Sequence, residues 1–213
     1  MGRSGLEAGV SRGFGGAVEP EASAAHKRNK RFVLVDRDGT INEEIGYVLR
    51  PDELRLIPGA AGALRELQHL GLGLVVVTNQ SPIGRGMLDP EGLEAIHDRL
   101  RELLADAGAT LDRIEHCPHR PDEGCACRKP GTLMVERAAA ALGFDPAGSW
   151  LVGDHAADLR LGRAVGARTI LVRTGHGEEE LAGGADAFAD HVADDLAAAA
   201  AVIRDEVRAE VGA

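Results

Sequence analysis

From Arg31 onward, short runs of consecutive apolar residues alternate with stretches in which apolar residues return every three or four positions. Runs such as Phe32, Val33, Leu34, Val35 and Leu74, Val75, Val76, Val77 show no polar alternation, which predicts strands covered on both faces. Strands are expected over 32–35, 74–77, 113–116, 150–152 and 169–172, with a weak edge strand at 185–189. Helical spacing over 59–70 places Ala60, Leu64, Leu67 and Leu70 on one face, with Gly71 as the stop. A second helix should start with Asp89 as N-cap and Pro90 in its first turn. It would carry Leu93, Ile96, Leu100, Leu103 and Leu104 on one face and end at Gly108. Further helices are expected near 132–142, near 157–165 and, rich in alanine, from about 194. This alternation predicts an α/β chain: a single doubly wound, Rossmann-like parallel sheet with helices on both faces.

Residues 1–30 break the pattern, with six glycines, scattered charge and no hydrophobic period. They read as a flexible N-terminal extension, which leaves 31–213 as one domain. The basic cluster at 26–31 reads as a solvated lead-in to the first strand. His69, His97, His176 and His191 sit in no partner pattern and are expected at the surface or on helix faces, and the glutamates at 178–180 in a solvated turn.

Composition narrows the function. The formal net charge of −10 argues against a nucleic-acid partner, because phosphate-backbone affinity needs a basic footprint. Only six residues are aromatic, too few for a base-stacking platform. Three cysteines do not build a disulfide scaffold and fit a reducing compartment. With no membrane-spanning run and no signal-peptide pattern, the expectation is a cytoplasmic monomer without a membrane partner.

In a doubly wound sheet, ligands sit outside the carboxyl ends of the strands. Three such ends carry polar groups here: Asp36 to Thr40, Thr78 to Ser81, and Gly153-Asp154 with Asp158 four residues on. Asp36, Asp38 and Asp154 make an oxygen-rich set suited to Mg²⁺. With Lys129 and donors from Thr78 and Asn79 they could cradle a phosphoryl group. A carboxylate can act as nucleophile, and crowding can leave one acid protonated as a general acid.

These segments resemble, in order, the four signature motifs of the haloacid dehalogenase-like phosphatases: Asp36-Arg37-Asp38-Gly39-Thr40, Thr78-Asn79, Lys129, and Gly153-Asp154 to Asp158. Asn42, Gly46-Tyr47, Asn79-Gln80-Ser81 with Arg85-Gly86, Arg128-Lys129-Pro130 and the run ending at Gly175 extend the likeness to the heptose-bisphosphate and histidinol-phosphate phosphatases, over about 31–175. The resemblance implies Asp36 as nucleophile and Asp38 as acid and base. It implies Mg²⁺ on Asp36, the carbonyl of Asp38 and Asp154, with Thr78 and Lys129 stabilising the phosphoryl group. Substrate would be bound by Glu44, Ile45, Gly46, Tyr47, Asn79, Gln80, Ser81, Arg85, Arg128 and His155. His155 stands where the heptose enzymes carry lysine, and Thr132-Leu133-Met134 replaces their Pro-Gly-Met. Asp158 is placed behind these groups, orienting Lys129 or the metal's waters.

Cys117, His119, Cys125 and Cys127 lie within eleven residues. Cys₃His is a closed tetrahedral set for a structural Zn²⁺, which makes 117–127 a zinc loop leading straight into Arg128 and Lys129. Loose thiols or a transient disulfide are the alternatives. Too few residues separate Thr40 from Pro58, or Asn79 from Asp89, to hold a large cap domain. The pocket should therefore be open, walled only by the zinc loop and the turn at 44–47. The site residues point to a Mg²⁺-dependent small-molecule phosphomonoesterase, and the resemblance implies foremost one acting at C7 of heptose 1,7-bisphosphate. Histidinol phosphate is the alternative substrate, and a non-catalytic zinc-stabilised binding protein the alternative of another class.

Overall fold

The computed structural model describes Met1 and residues 30–212. The extension expected at 1–30 falls almost wholly outside the described residues. Six strands form one sheet: β1 Phe32–Val35, β2 Gly73–Asn79, β3 Arg113–Cys117, β4 Trp150–Gly153, β5 Arg168–Val172 and β6 His191–Ala193. All neighbours are parallel, in the order β3-β2-β1-β4-β5-β6. The helices are α1 Ala60–His69, α2 Pro90–Asp106, α3 Leu133–Leu142, α4 Ala156–Val165, α5 Gly177–Ala182 and α6 Leu196–Val211.

The unbroken apolar strands are explained by the two layers. Val33 and Val35 of β1 join Leu74, Val76, Trp150, Val152, Ile170 and Val172 against α1, α2 and α6. Phe32 and Leu34 point the other way, with Val75, Val77 and Leu151, against α3 and the C-terminal half of α4. Along β1, β2 and β4, successive residues thus alternate between two cores rather than between core and water. Asp89 caps α2 as expected, its carboxylate accepting from Gly92 N at 2.7 Å.

Two local expectations are corrected and one is narrowed. Residues 185–189 are not a strand: Ala185–Phe188 is a 3₁₀ turn entered through Gly184, and the edge strand is His191–Ala193. That strand is three residues long with only Ala193 buried, so it leaves no hydrophobic signature. The glutamates at 178–180 belong to α5, in whose first turn their charge complements the helix dipole. Of the two places expected for His97, surface or helix face, it takes the helix face, and the buried one: it is 1% exposed, in the stripe Leu93, Ile96, His97, Leu100, Leu104 of α2. Among the described residues no helix is long and apolar enough to cross a membrane.

The strand order reverses between β1 and β4, which opens the crevice where such sheets take ligands. Asp36 follows β1 directly and Asp154 follows β4 directly. Residues 40–58 and 80–89 form only turns, isolated bridges at Asn42 and Leu56 and one short 3₁₀ segment, and no cap domain covers this crevice among the described residues.

Candidate active site

A cavity of about 440 Å³ opens over the carboxyl ends of β1, β2 and β4. Its floor is an ion cluster. Lys129 Nζ lies 2.7 Å from Asp36 Oδ1 and 2.6 Å from Asp158 Oδ1, and donates to Val77 O at 3.0 Å. The loop carrying Lys129 is tied to β2 by its own amide, which donates to Asn79 Oδ1 at 3.0 Å. Asp36, Asp154 and Asp158 bring carboxylate oxygens within 4.8 Å of one another.

Burial sets the electrostatics. It raises the Asp36 carboxyl to about 7, with Lys129 pulling it down and Asp158 pushing it up. Burial, then the Asp36 and Asp158 carboxylates, raises Asp154 to about 8. Burial also raises Asp158, against the pull of Lys129. Burial alone would lower Lys129, but Asp158 and Asp36 outweigh it and hold the ammonium charged. Three carboxylates face one cation, a deficit that a divalent ion would fill.

Asp38 is treated differently. Burial works against its charge, yet Arg37 and Asn42 overcome this and hold it below the usual carboxylate range. Arg37 Nη2 donates to both Asp38 oxygens at 2.9 Å, Asn42 Nδ2 to Oδ1 at 3.0 Å and Gln80 Nε2 to Oδ2 at 2.9 Å.

Two glycines let the loops close on Asp154. Gly39 (φ 76°) and Gly175 (φ 59°) adopt the left-handed conformation, and a Cβ on either would collide with Asp154 Oδ2. His176 N donates to the same oxygen at 2.8 Å, and Thr174 Oγ1 donates to Gly39 O at 2.6 Å.

Most residues expected at the site do line the cavity: Asp36, Asp38, Glu44, Gly46, Tyr47, Thr78, Asn79, Gln80, Ser81, Arg85, Arg128, Lys129, Asp154 and His155. Ile45 does not; its side chain is half exposed beside the cavity mouth. His155 lines the wall, but both ring nitrogens have protein partners. Nδ1 accepts from Ala157 N at 3.1 Å, capping α4, and Nε2 lies 2.8 Å from Glu180 Oε1. This side of the cavity, with His176, is a third wall beyond the two expected. The roles of Arg37 and His176 escaped the sequence reading. A buried cation between two aspartates could have been suspected; a backbone amide could not.

At the end of β3, the four zinc-loop side chains converge. Cys117, Cys125 and Cys127 Sγ atoms are 3.2–3.6 Å apart, and His119 Nδ1 lies 3.6 Å from Cys117 Sγ and 3.2 Å from Cys127 Sγ. No disulfide forms among them. A tetrahedron of sulfurs about 2.3 Å from zinc has edges of about 3.8 Å, so the donor set and its spacing fit that ion.

The chain has well-matched relatives. The HAD-hydrolase-like family model matches residues 126–199. The D-glycero-beta-D-manno-heptose-1,7-bisphosphate 7-phosphatase of Pseudomonas aeruginosa is 42% identical over 154 residues, spanning 72% of this chain and 86% of that protein. Its namesake in Bordetella bronchiseptica is 39% identical over 177 residues, spanning 83% and 99%. The crystal structure of the D,D-heptose 1,7-bisphosphate phosphatase from B. bronchiseptica, complexed with magnesium and phosphate, matches with a TM-score of 0.78 over 83% of this chain and 99% of that one. The structure of the Burkholderia thailandensis enzyme matches at 0.63, with 36% identity, over 82% and 98%. Identity of this extent, joined to an aspartate at the end of β1 facing another at the end of β4, places the chain among phosphatases: it belongs to the heptose-1,7-bisphosphate 7-phosphatase family of HAD-like hydrolases.

Proposed function

We propose that this phosphatase removes the C7 phosphate of D-glycero-D-manno-heptose 1,7-bisphosphate through an aspartyl-phosphate on Asp36. The observation that carries the reading is the pairing at the cavity floor: Asp36 against buried Lys129, with Asp38 two residues away and held by other donors. A carboxylate oxygen of Asp36 attacks phosphorus. The phosphorus–ester oxygen bond breaks, and its electron pair leaves on the sugar oxygen, which takes a proton from Asp38; that carboxyl, ionised in the free site, takes up the proton as the anionic phosphate ester binds beside it. Water then attacks the aspartyl-phosphate, giving a proton to Asp38; phosphate departs and the Asp36 carboxylate is restored. Lys129 and the Thr78 hydroxyl stabilise charge on the phosphoryl oxygens.

The acidic floor fits Mg²⁺, which Asp36, the Asp38 carbonyl and Asp154 would hold. When bound, the ion supplies the positive charge that offsets repulsion between a carboxylate nucleophile and a phosphate. Cys117, His119, Cys125 and Cys127 would hold a structural Zn²⁺ and thereby fix Arg128, whose Nη1 donates to His119 O at 3.3 Å. Arg128 and exposed Arg85 line the cavity and suit the second phosphate of the substrate. His155, engaged with Glu180, leaves that task to the arginines.

Two measurements test the reading. Asp36→Asn should abolish turnover while the thermal melt stays cooperative; more than a few per cent of wild-type kcat would rule out the covalent route. The kcat/KM for heptose 1,7-bisphosphate should exceed that for histidinol phosphate at least about tenfold, or about 1.4 kcal/mol. Histidinol phosphate offers no second anion to the arginines, and equal turnover would transfer the assignment to it.

A further inference from the structure

Gln80 stands at the end of β2, 2% exposed, and its amide is fully engaged by protein groups. Arg37 Nη2 donates to Gln80 Oε1 at 3.1 Å. Since a guanidinium can only donate, this contact fixes which end of the amide is oxygen. The amide nitrogen therefore faces Thr78 Oγ1 at 2.8 Å and Asp38 Oδ2 at 2.9 Å, using both of its hydrogens. No donor is left for a substrate, although the side chain lines the cavity.

The two Asp38 oxygens differ. Oδ1 takes three donors, from Arg37 Nε at 3.2 Å, Arg37 Nη2 at 2.9 Å and Asn42 Nδ2 at 3.0 Å. Oδ2 meets only Arg37 Nη2 and Gln80 Nε2, each at 2.9 Å. Oδ2 is thus the less crowded oxygen: its contact to Arg37 Nη2 is shared with Oδ1 and is the one it would give up to take a proton, while the Gln80 amide fixes where it lies. Arg37 and Thr78 anchor that amide from two sides.

We infer that Gln80 is a positioning residue for proton transfer: held by Arg37 and Thr78, it sets the Asp38 carboxylate so that Oδ2 can serve the ester oxygen. The inference rests on the assignment of Asp38 as acid and base in the proposed function. Gln80 acts through Asp38 and touches no reacting atom.

The test exploits the leaving group. A sugar alkoxide needs a proton as the ester bond breaks, whereas p-nitrophenolate leaves without one. In the zinc- and magnesium-loaded enzyme, Gln80→Met should lower kcat/KM for heptose 1,7-bisphosphate about 10–100-fold, a part of what general acid–base help contributes. The loss for p-nitrophenyl phosphate should be at least about fivefold smaller. Gln80→Glu keeps the shape but turns an acceptor toward Asp38, so it should fail to restore the sugar-phosphate rate. In an Asp38→Asn background, Gln80→Met should cost nothing further on the sugar phosphate. Equal losses on both esters, full activity of Gln80→Glu, or a raised KM with kcat kept would each overturn the inference. Asp38→Asn measured alone separates the two levels: if it too shows no leaving-group preference, the acid–base assignment has failed as well.

Discussion

Gly175 shows how closely single positions are constrained around the carboxylate of Asp154. A Cβ there would strike both Asp154 Oδ2 and the Cα of Gly39, and a backbone atom cannot swing aside. The left-handed φ of 59° adds strain for any L side chain. Gly175→Ala should therefore cost about 1–3 kcal/mol of stability and weaken magnesium activation through a displaced Asp154. Urea denaturation and a magnesium titration of turnover check this, and wild-type values in both would show that the loop relaxes freely. At this scale the sequence reading was strongest where chemistry is local. Asp36, Asp38 and Asp154 could be picked out because reactive side chains at strand ends are informative in themselves, and Lys129, which lies in a loop, because of the motif it resembles. The tie between Arg37 and Gln80 could not, because it joins residues 43 apart whose proximity depends on the pairing of β1 with β2.

Among the elements, the loop after β3 carries the clearest consequence. It has one 3₁₀ turn, Pro121–Glu123, and its remaining order comes from side-chain convergence at Cys117, His119, Cys125 and Cys127. Elemental analysis should find one zinc per chain. Burial pushes the Cys117 thiol up to about 12, so metal loading should release protons. Cys125→Ser should lower zinc content and melting temperature together. Turnover should fall as well, by up to about 10²-fold, since Arg128 and Lys129 follow the loop directly and misplacement of about 1 Å is costly. Metal-free protein with full activity would refute the structural site. Helices with a periodic face and a cap, such as α2, were legible almost to the residue. The edge strand β6 and short α5 were not, being too short to show a period.

For the whole molecule, titration and metal binding are linked. Asp36 and Asp154, raised to about 7 and about 8, keep protons in the folded state that the unfolded chain releases above the ordinary carboxylate range. The folded state then binds more protons, so metal-free stability falls as pH rises through that window. Magnesium favours the ionised carboxylates, so the rise in melting temperature on adding it should grow between about pH 6 and 8. His97 has the opposite effect: burial lowers it from 6.5 to about 3, with Arg37 and His116 adding to the shift. Unfolded protein binds the extra proton between those values, so stability is lost as pH falls through them. Thermal melts across pH, with magnesium or with chelator, check both limbs; a magnesium shift independent of pH would contradict the picture of protonated Asp36 and Asp154.

The amino-acid sequence by itself determined the layer architecture, because unbroken apolar runs such as those of β1 and β2, alternating with helical periods, call for a sheet covered on both faces. It also determined which aspartates are candidates for catalysis, since Asp36, Asp38 and Asp154 follow strand ends by covalent adjacency. Tertiary structure alone decided which donors those groups meet. His155 turned to Glu180, Gln80 turned to Asp38, and His97 sank into the core of α2. Such choices depend on the register of parallel strands and on how deeply each charge is buried, and no local pattern encodes either.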